Sequence, residues 1–164
     1  MKKYLLIAVC LMLLLVTGCD MKKKITVGDK ADANMNPSAG LDEGIGSTYE
    51  GAVMTYVSSD SHSLTVTISN NTESTWQSGN MRDYELQVMK DGEWYKVEQI
   101  GEFANTMELL IFSPGESMTH TFAFDARYGE LTEGSYRVIK AYWANRTENS
   151  DAREFHLWCE FEVE

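Results

Sequence analysis

From Tyr49 onward the chain repeats one pattern, in which apolar and polar residues alternate in short runs broken by glycine, asparagine and aspartate. Successive side chains of a β-strand point to opposite faces, so this period of two marks strands with one face on a core. Arg153–Val163 carries the pattern furthest: Phe155, Leu157, Cys159, Phe161 and Val163 share the inward face, and His156, Trp158, Glu160 and Glu162 share the outward one. No helical heptad and no internal repeat accompanies it. Strands without helices to cover them bury their apolar faces against a second sheet, which restricts the chain to two packed β-layers.

The remaining runs fit the same plan. Ala52–Ser58 alternates Val53, Thr55 and Val57 against Met54 and Tyr56, and Ser63–Ser69 sets Leu64, Val66 and Ile68 against Thr65 and Thr67. Trp76 and Gly79 are expected in a loop. Tyr84–Lys90 places Tyr84, Leu86 and Val88 on one face, and Asp91-Gly92 supplies the positive φ angles of a tight hairpin into Glu93–Gln99. The apolar run Met107–Phe112 ends in Ser113-Pro114-Gly115-Glu116, where proline followed by glycine specifies a type II turn. Ser117–Asp125, with Met118, His120, Phe122 and Phe124 in phase, and Tyr136–Trp143 complete the set. Seven or eight antiparallel strands of this length predict an all-β, immunoglobulin-like Greek-key sandwich. Its marker is Leu131-Thr132-Glu133-Gly134-Ser135-Tyr136, where a turn would let the tyrosine hydroxyl reach back to upstream backbone as a tyrosine corner.

The N-terminal part has a different texture. Lys2 and Lys3 precede an uncharged run from Tyr4 to Val16, and Val16-Thr17-Gly18-Cys19 closes it. This is the layout of a secretory signal peptide. Its 13 apolar-run residues would span roughly 20 Å as a helix, short of a hydrocarbon core of about 30 Å. The closing tetrapeptide looks like a bacterial lipobox, in which the Cys19 thiol takes a diacylglycerol after removal of residues 1–18. Several acyl chains on one cysteine give durable anchoring where a single chain does not. Residues 19–48 are rich in Gly, Asp, Asn and Ser without sustained periodicity and read as a flexible linker, with Lys22, Lys23 and Lys24 able to lie on anionic lipid. Residues 49–164 form the domain.

Charge and cysteine usage narrow the function. Loss of Lys2 and Lys3 takes the formal charge from -11 to about -13, which argues against nucleic-acid binding, because phosphates must be neutralised by lysine and arginine. Cys10 leaves with the signal and Cys19 is acylated, so Cys159 alone remains in the domain and no internal disulfide forms. Burial alone must hold the fold. Cys159, in the inward phase, reads as a small hydrophobe.

The stretches Leu64–Asn71, Tyr84-Glu85-Leu86, Asp91-Gly92-Glu93-Trp94-Tyr95, Pro114-Gly115, Tyr128-Gly129 and Gly134-Ser135-Tyr136-Arg137-Val138-Ile139-Lys140, in this order and spacing, resemble the bacterial Ig-like domains of membrane lipoproteins from low-GC Gram-positive bacteria. The resemblance runs from about Gly51 to Val163. It implies an Ig-like sandwich on a lipid-anchored stalk, and it carries over no catalytic or binding residue.

Familiar catalytic signatures are absent: no phosphate-cradling loop, no His-Glu-x-x-His, no Cys-x-x-Cys pair and no Gly-x-Ser-x-Gly elbow. No cofactor, metal site or catalytic residue is expected. His62, His120 and His156 are far apart in sequence, with His120 expected at the core boundary and the other two at the surface. Trp76, Trp94, Trp143 and Trp158 are each either core or an exposed stacking platform, a choice that burial decides. The candidate interaction surface is the outward row His156, Trp158, Glu160 and Glu162, with Glu164 beyond it. The expected function is a non-catalytic interaction module on the extracytoplasmic face of the cell membrane, held there through Cys19, with an envelope protein or a cell-wall glycan as partner. Two other readings remain: an accessory subunit of an envelope complex, and an enzyme on envelope material using carboxylates such as Glu73, Asp83 or Glu85.

Overall fold

The computed structural model describes residues 46–47, 49–101, 108–144 and 153–164. Ten strands follow in chain order: β1 (Gly46–Ser47), β2 (Ala52–Ser59), β3 (Ser63–Asn70), β4 (Trp76–Ser78), β5 (Glu85–Lys90), β6 (Glu93–Lys96), β7 (Leu110–Phe112), β8 (Ser117–Ala123), β9 (Gly134–Ala144) and β10 (Arg153–Val163). All pairings are antiparallel. Three strands form the smaller sheet in the order β2-β3-β8, and the other seven form the larger one. The two sheets make the sandwich that the period-two pattern predicts.

The larger sheet is built on β9. Along one edge β9 pairs with β10 from Gly134↔Val163 to Ala144↔Arg153, the longest ladder among the described residues. Its other edge is shared: β5 takes Tyr136–Ile139, and β4 takes Trp143 and Ala144. The sheet therefore forks, with β6 beyond β5 and β7 beyond β4. β1 extends the opposite side by pairing Gly46 and Ser47 with Trp158 and Leu157.

The core lies between the layers. Leu64, Val66 and Ile68 of β3 and Met54 of β2 meet Leu86, Val138, Tyr142, Phe155, Leu157 and Cys159 of the larger sheet, all buried. Their alternation with half-buried Thr65 and Thr67 is the expected one. In β2 the phase breaks at a register shift between Tyr56 and Ser58, and Tyr56 and Val57 are exposed. Aromatic rings fill the end near β4: Trp76 stacks on Phe112 at 4.3 Å between ring centroids and meets Tyr142 and Phe155 edge-on.

Turn chemistry matches the sequence closely. Asp91 and Gly92 both have positive φ (51° and 84°), as a two-residue hairpin between Lys90 and Glu93 requires. Gly115 has φ 80° and the Glu116 N–H donates to Ser113 O, closing the type II turn after Pro114. The Tyr136 hydroxyl donates to Thr132 O at 2.9 Å, completing the tyrosine corner. Tyr136→Phe is expected to lower stability by about 1 kcal/mol, the net worth of one such bond, read as a shift of the urea midpoint with unchanged slope.

Three expectations need correction. Trp76 lies in β4 and is core, not in a loop; a three-residue strand is too short to show alternation. The run from Glu93 forms a strand only to Lys96, because the chain leaves the hairpin after it, although Val97 still bonds Leu86 O. β1 is an additional strand upstream of Tyr49, in the stretch read as linker, and two residues carry no periodic signal.

Candidate functional site

The outward face of β6, β5, β9 and β10 gathers a cluster of polar and aromatic residues that the core leaves unused. Alternation dictates membership: where Leu86, Val88, Val138, Leu157 and Cys159 point in, Glu85, Gln87, Arg137, Ile139, Trp158 and Glu160 point out. Register sets them side by side, with Gln87 opposite Arg137, Arg137 opposite Glu160, and Ile139 opposite both Glu85 and Trp158. Trp94 and Lys96 add the margin, opposite Met89 and Gln87.

Four members at the centre of this outer face are buried almost as deeply as the core: Gln87 (0% exposed), Arg137 (1%), Trp158 (3%) and Ile139 (6%). A chain of polar contacts crosses it. Arg137 Nε donates to Gln87 Oε1 at 2.7 Å, Gln87 Nε2 donates to Glu85 Oε1 at 2.6 Å, and Glu85 Oε2 meets Lys96 Nζ at 2.6 Å. The Trp94 ring lies over the guanidinium, its centroid 4.4 Å from Cζ, a cation–π contact. Burial draws the Arg137 pKa below its ordinary value, against the pull of Glu160 and Glu85.

The sequence-expected row divides. His156, Trp158, Glu160 and Glu162 do share the outward phase of β10, but Trp158 is buried and offers no exposed stacking plane. It stands inside the sheet, flanked in register by Ile139 of β9 and Gly46 of β1, and an interior column on a broad sheet is shielded from both sides. His156 is half-buried, 3.5 Å from Glu154, and Glu162 accepts the Ser135 hydroxyl on both oxygens at 2.7 and 2.9 Å. Only Glu160 joins Trp158 at the polar cluster. Trp94, one of the four tryptophans, is half-buried and lies over Arg137; Arg137 and Gln87 carry no site motif, and the signal for the arginine is a charge on the outward phase of the otherwise largely apolar run Tyr136–Trp143.

Other candidates resolve individually. His120 is half-buried, edge-on to Phe122, and its pKa falls through burial and the nearby Lys140 charge. His62 is exposed and pairs with Asp125 at 2.7 Å, which raises its pKa. Cys159 is buried, and burial lifts its thiol to about 11, so it carries no thiolate near neutral pH. Trp76 is core, Trp94 is half-buried, and Trp143 donates to Glu154 at 3.3 Å. Among the carboxylates, Glu73 and Asp83 are exposed, whereas Glu85 is tied to Lys96 and Gln87. Among the described residues no group of three His, Cys, Asp or Glu side chains could hold a metal ion, and no helix is long and apolar enough to cross a membrane. Cys19 and the run before it lie outside the described residues.

A two-layer antiparallel sandwich closed by a tyrosine corner, with its polar cluster on one outer sheet face, defines an immunoglobulin-like domain. The chain belongs to the bacterial Ig-like domain family, whose model matches residues 51–156. No curated protein matches the chain.

Proposed function

We propose that this protein is a non-catalytic interaction module, displayed on the extracytoplasmic face of a bacterial cell membrane by acyl chains on Cys19. The observation that carries the first half is the outer face itself: an Ig-like sandwich spends a buried arginine, a glutamine and two tryptophans on a layer that the core does not need. Its chemistry is that of recognition, donors and an aromatic plane, without a nucleophile and base in hydrogen-bond reach. The membrane half rests on the sequence alone, on the apolar run Tyr4–Val16 and the tetrapeptide Val16-Thr17-Gly18-Cys19. The partner is an envelope protein or a cell-wall glycan.

Cys19→Ser tests the anchor. In a bacterial host, the unsubstituted chain is expected to sediment with membranes and to incorporate labelled fatty acid, and the variant to lose the label and shift to the soluble fraction. Labelling and sedimentation that persist in the variant would exclude Cys19 as the point of attachment.

A further inference from the structure

Arg137 is a buried cation with no direct ion pair among the described residues. Its Nη1 has no hydrogen-bond partner, although the residue is 1% exposed. Two carboxylates of its face, Glu85 and Glu160, are within electrostatic range, and neither forms an ion pair with it among the described residues: Glu85 is engaged by Lys96 and Gln87, and Glu160 stands opposite in register. A second donor is orphaned on the same sheet face. Trp158 Nε1 is buried and lacks a partner, and Trp158 is the diagonal neighbour of Arg137 across β9 and β10, at a backbone separation of about 7–8 Å.

Buried donors are almost always satisfied, and a buried charge left unpaired is the costlier exception. Here the surplus is all of one kind. Two unpartnered N–H groups on one face, one of them cationic, call for an acceptor carrying negative charge. We propose that the outer face around Arg137 and Trp158 is a binding site for a carboxylate, which the guanidinium Nη1 and the indole N–H grip together. A guanidinium matches the planar geometry of a carboxylate better than an ammonium does. Trp94 is the movable part: it belongs to the four-residue marginal strand β6, which pairs only with β5, and its ring covers the guanidinium. Rotation of that side chain opens the site, and the indole then packs beside the ligand.

Carboxylates of two sources fit, the C-terminus of a peptide and the acid group of a sugar. The site rests on the reading of the domain as an interaction module. The test is titration of the ¹⁵N-labelled chain from residue 19 onward, carrying Cys19→Ser, with N-acetylglycine, with glucuronate and with the uncharged N-acetylglycinamide, at constant ionic strength. The Arg137 Nε–H and Trp158 indole N–H resonances are expected to move saturably with one or both acids and not with the amide, and the acid that saturates at lower concentration names the source.

Trp158→Phe keeps the apolar bulk but removes the indole donor, and is expected to weaken binding at least threefold without altering the thermal midpoint by more than a few degrees. Arg137→Lys is expected to weaken it tenfold or more. Resonances unmoved by both acids, or moved equally by the amide, would overturn the proposal, as would a folded Trp158→Phe chain that binds unchanged. A protein that binds an envelope partner while these two resonances ignore both acids overturns the site and leaves the module reading standing.

Discussion

Trp76→Ala is expected to remove about 3–5 kcal/mol of stability, the usual cost of truncating a buried tryptophan, out of the roughly 5–15 kcal/mol that domains of this size possess. The indole is 1% exposed and organises one whole end of the sandwich. It stacks on Phe112, its register partner in β7, and presents its faces and edges to Tyr142 of β9 and Phe155 of β10. Without a disulfide in the described domain, nothing covalent compensates for the cavity. Trp76→Phe makes the useful contrast. It keeps an aromatic plane and removes an indole N–H that has no partner, so its cost is expected near 1–2 kcal/mol, on the scale of volume changes in well-packed cores. Urea unfolding followed by far-UV circular dichroism distinguishes the two, and equal midpoints for Trp76→Ala and the parent would remove Trp76 from its place as the organiser of that end.

The second large effect is a pH dependence set by Lys140. This lysine sits on the inward side of β9, opposite Leu157, at the fork where β5 and β4 part. Its ammonium donates to the carbonyls of Asn80 and Asp83, both at 2.9 Å, tying the connection between β4 and β5 into the gap. Burial nevertheless disfavours the charge and lowers its pKa to about 8, helped by Arg127 and opposed by Asp83.

The sign follows from proton counting. Below pH 8 the lysine is protonated in both states and the burial penalty is fully present. Between about 8 and 10.5 the unfolded chain holds more protons than the folded one, so stability rises with pH. The Lys140 contribution across pH 8 to 10 is on the order of 2 kcal/mol. From about pH 9 the buried Cys159 thiol works with the opposite sign, and above pH 10 the buried tyrosines join it, because burial raises the pKa of Cys159, Tyr84 and Tyr142 and their unfolded forms ionise first. Unfolding midpoints at pH 7.5, 8.5 and 9.5 are therefore expected to climb, and Lys140→Met to abolish the climb. A parallel climb in the variant would assign the effect to another group.

The architecture was legible because its signals are local and repeated. Asp91-Gly92, Pro114-Gly115 and the alternation of β3, β8 and β10 each specify backbone geometry within a few residues, and the structure realises each of them. The Tyr136 corner was legible for the same reason, since donor and acceptor lie four residues apart. What escaped was everything set by pairing partners. β1 and β4 are too short to show a period, and Trp158, correctly placed on the outward phase, is buried by neighbours on other strands. Lys140 and Arg137 sit in adjacent turns of the pleat within β9, yet one faces the core and the other the outer layer. Alternation alone gives that division; that both would be buried depends on the loop at Asn80–Asp83 in one case and on Trp94 in the other.

β1 gives the sandwich a mechanical property as well as an extra strand. Among the described residues, load arriving along the chain from its N-terminal side reaches Gly46 and Ser47 first, and these two residues hold the long β10 edge by a ladder of only two pairs. A two-residue ladder yields at far lower force than the eleven-residue pairing of β9 with β10 behind it. A pull on this end therefore frees β1 first and bares the Trp158 edge of the sheet, while the eleven-residue strands β9 and β10 stay paired behind it.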